Sequence, residues 1–178
     1  PLSIFNFILG GQFTARLNSN LRQDKGYSYG YSSTIDWSNG SSMFTAGGGV
    51  QTAVTKEALF ETLKEFEEIK TSRPVSKQEF DNAQNSIIRS LPAQFETLHH
   101  VLEQLIRLVV FGLDDDYFAT FGDRITKVRL GDVRRGGDML KTDNLNVLIV
   151  GDRSEFETGL KRLGLPISEV DYEGRPID

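Results

Sequence analysis

Apolar residues recur at three- and four-residue spacing from the first turn of the chain. Phe5, Ile8, Leu9, Phe13 and Leu17 form one stripe, which predicts a helix from about Ser3 to Asn20. Gly10 and Gly11 fall inside it, each costing about 1 kcal/mol relative to Ala in a helix interior. A kink or break there is the simpler expectation. Close approach of a strand or a ligand is the sharper one. From Tyr27 the period changes to two. Tyr27, Tyr29, Tyr31, Ile35 and Trp37 fall on one face, and Ser28, Gly30, Ser32, Thr34 and Asp36 on the other. Ser38-Asn39-Gly40 predicts a turn, with Asn-Gly as its hairpin signal. A second strand is expected over about Ser42 to Gln51, making an antiparallel hairpin. Gly47, Gly48 and Gly49 weaken its far end and suggest a bulge or a close contact.

Helical spacing then dominates. Thr55 to Lys70 carries a stripe of Leu59, Leu63, Phe66 and Ile69, and Glu65, Glu67 and Glu68 read as a solvated face. Pro74 separates this helix from the next. Ser76 and Glu79 have the spacing of a capping box, so a helix begins there with Phe80, Ala83, Ile87 and Leu91 on its apolar side. Pro92 ends it. A further helix is expected from near Thr97 to Phe111, stopped by Gly112. Asp114 to Asp116 can cap a short one carrying Tyr117, Phe118 and Phe121. The helical signal weakens over Val128 to Leu140, where Gly136 and Gly137 intrude. Asn146 to Val150 reads as a strand bounded by Gly151, followed by a helix near Ser154 to Leu163. This order predicts an α+β domain, an antiparallel sheet with helices on one face.

Length and composition narrow the classes. The 178 residues fit one domain over 1–178. A net charge of −5 gives a nucleic-acid surface little electrostatic support. No apolar run approaches the roughly 20 residues that cross a bilayer. The chain has no cysteine, which removes disulfides, thiolate nucleophiles and cysteine metal sites together. A core-grade helix at Pro1 suggests a fragment of a longer chain.

Several candidate sites meet simpler readings. His99 and His100 are the only histidines, and as helix neighbours they point about 100° apart. His100 and Glu103 lack a second histidine, since Gln104 stands in its place, so surface histidines are the expectation. Asp114-Asp115-Asp116 lacks the spacing of a calcium loop. Gly47-Gly48-Gly49 has Thr52 where a dinucleotide turn needs glycine, and it follows a hairpin strand. No Ser/His/Asp triad can be assembled. Arg22 and Tyr29 remain. Arg22 follows the first apolar helix and Tyr29 lies seven residues on, so the two can converge on one ligand. The simple reading is a C-terminal helix cation and an aromatic strand face. The chemical reading is a forked donor for a carbonyl beside a hydroxyl for a developing oxyanion.

Leu9-Gly10-Gly11, Ala15-Arg16-Leu17, Asn20-Leu21-Arg22, Lys25-Gly26 and Tyr29-Gly30 resemble the second, non-catalytic domain of pitrilysin/insulinase-like zinc metallopeptidases, the group that includes mitochondrial processing peptidase. The hairpin, the helices around Pro74 and the run from Asn144 to Asp152 follow in the expected order. The resemblance implies a mixed, mostly antiparallel sheet with helices on one face, paired with a homologous zinc-bearing domain around an unfolded peptide. That partner domain would lie on the same longer chain or on a separate subunit. By the resemblance, Arg22 would bind a substrate carbonyl and Tyr29 would help hold the oxyanion opposite the zinc. The chain lacks the His-x-x-Glu-His motif, so neither metal nor cofactor is expected on it, zinc is expected in the partner domain, and no hydrolysis by the chain alone. The family normally has a strand and some helix before the position of Pro1. An exposed sheet edge favouring a homodimer is therefore expected. A bacterial envelope location is favoured over the cytoplasm. The alternative is a structural or assembly subunit of the same fold, as in respiratory complexes. A small-molecule-binding domain would need a closed pocket.

Overall fold

A computed structural model gives the fold and describes residues 1–177. Helix α1 (Leu2–Leu9) buries Ile4, Phe5, Ile8 and Leu9, so the apolar stripe becomes core from the first turn. The helix ends at Leu9. Phe13, expected on the buried stripe, stays exposed because the chain is not helical between Gly10 and Ala15. Helical structure resumes in α2 (Arg16–Asn18) and widens at once into a π-helical turn, Ser19–Asp24. The single expected helix is thus two helices with an irregular stretch between them.

β1 (Ser32–Asp36) and β2 (Met43–Gly47) pair antiparallel, Ser32 opposite Gly47 and Asp36 opposite Met43. Both strands are shorter than the alternation suggested. The connection spans residues 37–42, and neither Asn39 nor Gly40 has positive φ. The hairpin is therefore closed by a wider loop than the tight Asn-Gly turn, which needs positive φ at both residues. Ser38 Oγ donates across it to the Ser41 carbonyl at 2.9 Å.

The helices α3 (Thr55–Glu68), α4 (Lys77–Ser90), α5 (Leu98–Phe111), α6 (Tyr117–Lys127), α7 (Leu130–Gly137) and α8 (Arg153–Lys161) follow. The Ser76–Glu79 capping box forms as expected, and Gly112 ends α5 in the left-handed conformation. Asp116 occupies the N-cap position of α6, but its side chain makes no capping bond. Leu59 and Leu63 of α3 are only half-buried. The helix turns Thr55, Ala58, Thr62 and Glu65 inward, toward α2 and the π-turn. Glu65, expected on a solvated face, is 2% exposed. Arg73 Nη2, 2.5 Å away, and Asn20 Nδ2, 2.9 Å away, supply the partners that a buried carboxylate needs.

The core joins α1 to Leu17, Phe66, Ile69, Val75, Phe80, Ala83, Ile125, Val133 and Leu140. Gly137 lets α7 close on α1, since a Cβ there would lie 2.8 Å from the Phe5 ring. Residues 146–150 form no strand among the described residues. A β-branched run needs a neighbouring edge to become one, and Leu148 and Val150 lie exposed. The architecture is α+β, helices packed on a small antiparallel sheet.

Candidate functional site

The segment from Gly10 to Tyr31 is held by a chain of buried polar groups that the sequence alone did not single out. Asn6 Nδ2 donates to the Ser33 carbonyl at 3.2 Å, and Ser33 Oγ donates back to Asn6 Oδ1 at 2.7 Å. The Ser33 amide donates to the Gly10 carbonyl at 3.0 Å. A Cβ on Gly10 would lie 2.4 Å from Ser33 Oγ and 2.5 Å from the Ser33 nitrogen. The break in the first helix therefore lets β1 approach the backbone directly, which is the sharper of the two expectations.

Asn18 carries the next link. Its Nδ2 donates to the Phe13 carbonyl at 2.6 Å, and the Tyr31 amide donates to its Oδ1 at 3.0 Å. One buried amide thus joins the irregular stretch to the start of the hairpin. An Asn one residue after the buried Leu17 was the available signal, and no apolar periodicity could assign it a partner. Tyr31 itself packs inward. Burial raises its hydroxyl pKa, and a hydrogen bond from Thr62 at 3.0 Å partly offsets this.

The two residues of chemical interest sit at the ends of a closed loop. The Leu21 carbonyl accepts from the Tyr27 amide at 2.8 Å and the Ser28 amide at 3.2 Å. Arg22 and Tyr29 each lie one residue beyond that junction, so their Cα atoms are within about 13 Å by chain geometry. The loop between them is closed, and among the described residues no hydrogen bond joins their side chains. Arg22 lies in the π-turn, an irregularity frequent at functional sites. Its guanidinium carbon stands 4.4 Å from the centre of the Phe13 ring. Among the described residues it has no hydrogen bond or ion pair. Tyr29 is 95% exposed.

That exposure corrects the predicted alternation. Tyr31, Ser33 and Ile35 do share an inward side, but Ser28 is buried and Tyr29 is not. The parity slips by one residue between Ser28 and Tyr31. Ser28 Oγ accepts from the Gly30 amide at 3.0 Å and lies 2.7 Å from the Gly30 carbonyl and 2.8 Å from the Gly49 carbonyl. Its single proton serves one of those carbonyls at a time. The opposing strand complies at Gly48, where a Cβ would lie 2.2 Å from the Gly30 carbonyl oxygen. The expected close contact in the triple glycine is at this central position.

Beside the loop, Arg16 forms a two-pronged pair with Glu79, Nε to Oε1 at 2.7 Å and Nη2 to Oε2 at 2.9 Å. Arg16 also donates to the Arg73 carbonyl at 2.5 Å. Burial pushes the Glu79 carboxyl up, but hydrogen bonds from Arg16 and from the Ser76 amide and hydroxyl, with the Arg16 charge, hold it down to about 2. This cluster anchors the start of α4 to α2.

The other candidates stay separate. His99 is exposed, 3.3 Å from Glu103, and His100 Nδ1 lies 3.1 Å from the Ala93 carbonyl. Asp114 to Asp116 are exposed. Among the described residues no three His, Cys, Asp or Glu side chains converge to hold a metal, and no helix is long and apolar enough to cross a membrane.

Residues 1–87 match a family model, that of the peptidase M16 inactive domain. The fold is similar to that of a peptidase M16 inactive domain from Pseudomonas fluorescens, with TM-score 0.70 and 21% identity, over 80% of this chain and 34% of that one. It is also similar to the inactive peptidase domain of a candidate zinc protease from Bordetella parapertussis, with TM-score 0.64 and 20% identity, over 76% of this chain and 73% of that one. The periplasmic protease PqqL from Escherichia coli shares the fold, with TM-score 0.60 and 18% identity, over 77% of this chain and 15% of that one. The chain thus spans about a third of the Pseudomonas protein. No curated protein matches it.

Proposed function

We propose, from the match of residues 1–87 to the model of a peptidase M16 inactive domain, that the chain is the substrate-clamping, non-catalytic part of a zinc metallopeptidase acting on peptides or unfolded chains. One observation carries the reading. A guanidinium whose donors meet no acceptor among the described residues and a tyrosine 95% exposed are presented from the two ends of one hydrogen-bonded loop. A scaffold gains nothing from a polar pair held in this way.

Arg22 would donate to a substrate carbonyl, fixing an extended peptide by its backbone rather than by its side chains. Tyr29 would donate its hydroxyl to the carbonyl oxygen as negative charge develops there. Among the described residues His99 meets one carboxylate, that of Glu103 at 3.3 Å, and no third ligand joins them, an arrangement that does not fit a zinc ion. Zinc would be held by a homologous partner domain, where it supplies Lewis acidity. The partner would lie on the same longer chain or on a separate subunit. The periplasmic relative supports an envelope location.

Zinc content and hydrolysis of the chain by itself test this reading. Purified chain is expected to carry no stoichiometric zinc and to leave an unfolded test peptide uncut. One zinc per chain with chelator-sensitive cleavage would overturn it.

A further inference from the structure

Phe13 stands 60% exposed in the irregular stretch between α1 and α2. Its backbone is not free to drift. The carbonyl is held by Asn18 Nδ2 at 2.6 Å, and the amide of Asn18 lies in the same chain of bonds that fixes Tyr31. The ring is therefore carried on a fixed support, and Arg22 lies over it at 4.4 Å. A guanidinium attracted by a ring quadrupole is held through its face. Its five N–H donors lie in its plane and point away from that contact. Stacking on a ring is thus a way to orient Arg22 without using any donor that a ligand would need. A salt bridge to a carboxylate would orient it equally well but would occupy the fork.

We propose that Phe13 is the positioning residue for Arg22, an exposed aromatic platform that aims the guanidinium while leaving its donors free. Phe13 acts through Arg22 and takes no part in the chemistry. Its effect on peptide holding rests on the reading of Arg22 given above.

The test uses the full chain and two readouts. The first is the Nε–H proton resonance of Arg22, which ring current displaces upfield. The displacement is expected in the native chain and in Phe13→Tyr, and lost in Phe13→Leu, which keeps the bulk without the ring. An Arg22 resonance unchanged by Phe13→Leu would overturn the proposal. The second is titration with an acetylated, amidated ten-residue peptide. Phe13→Leu is expected to weaken binding about two- to five-fold, the scale of an exposed cation–π contact, with Phe13→Tyr restoring it. In an Arg22→Ala background, Phe13→Leu should cost nothing more. A further loss there would mean that Phe13 touches the peptide itself and would overturn the positioning role. A ring-dependent Arg22 resonance with peptide binding untouched by Arg22→Ala would instead overturn the peptide-holding reading and leave the Phe13–Arg22 relation standing.

Discussion

Ser28 Oγ lies 2.8 Å from the carbonyl oxygen of Gly49, tying the approach to β1 to the exit of β2. The same hydroxyl accepts from the Gly30 amide, and this double engagement turns Ser28 inward and sends Tyr29 out to solvent. A serine hydroxyl thus decides which way a tyrosine points. Ser28→Ala removes the acceptor for Gly30 and a donor shared by two carbonyls. It is expected to cost about 1–3 kcal/mol in urea unfolding, and to restore partial burial of Tyr29, read by quenching of tyrosine fluorescence. An unchanged unfolding midpoint and unchanged quenching would contradict this role.

The glycines separate by position. Gly48→Ala would drive a methyl to 2.2 Å from the Gly30 carbonyl oxygen, and Gly10→Ala to 2.4 Å from Ser33 Oγ. Backbone is the obstacle at Gly48, so it cannot rotate aside. Each substitution is expected to destabilise by about 1–3 kcal/mol, the usual cost of overpacking. Gly47→Ala and Gly49→Ala meet nothing within 4 Å and have no positive φ, so both should stay near the native midpoint. Equal losses at all the positions would contradict the assigned contact.

The elements themselves were legible where local chemistry sufficed. The Ser76–Glu79 box, the Gly112 stop and the apolar stripe of α1 all depend on residues within a few positions of one another. The motif string also placed Arg22 and Tyr29 within one segment. What periodicity could not show was any pairing distant in sequence. Glu65 looked solvated because Arg73 and Asn20, which make its burial tolerable, cannot be assigned to it from spacing. The alternation through Tyr29 broke because one hydroxyl outweighed the two-residue period. Residues 146–150 read as a strand because strand propensity says nothing about whether an edge is alongside.

Acid should release the Arg16–Glu79 anchor. The Glu79 carboxyl is held at about 2 in the folded chain against an ordinary 4.5, so its contribution is complete above about pH 4.5. It is lost as pH falls through that interval, because protonation in the unfolded chain comes first. The native urea midpoint should therefore fall more steeply between pH 4.5 and pH 2 than that of Glu79→Gln, with a constant gap above pH 4.5. Parallel curves across the interval would contradict the pairing.

The clamping role of Arg22 and Tyr29 is tested most directly by peptide turnover with a zinc-bearing partner domain present. Arg22→Ala and Tyr29→Phe are each expected to lower kcat/KM by roughly ten- to a thousand-fold, the range for losing a charged or oxyanion-directed donor. Their circular dichroism and urea midpoints should stay close to the native chain, since among the described residues neither side chain makes a hydrogen bond or ion pair and Arg22 touches the fold through its stacking on the exposed Phe13. A kcat/KM left unchanged by both substitutions would contradict the account.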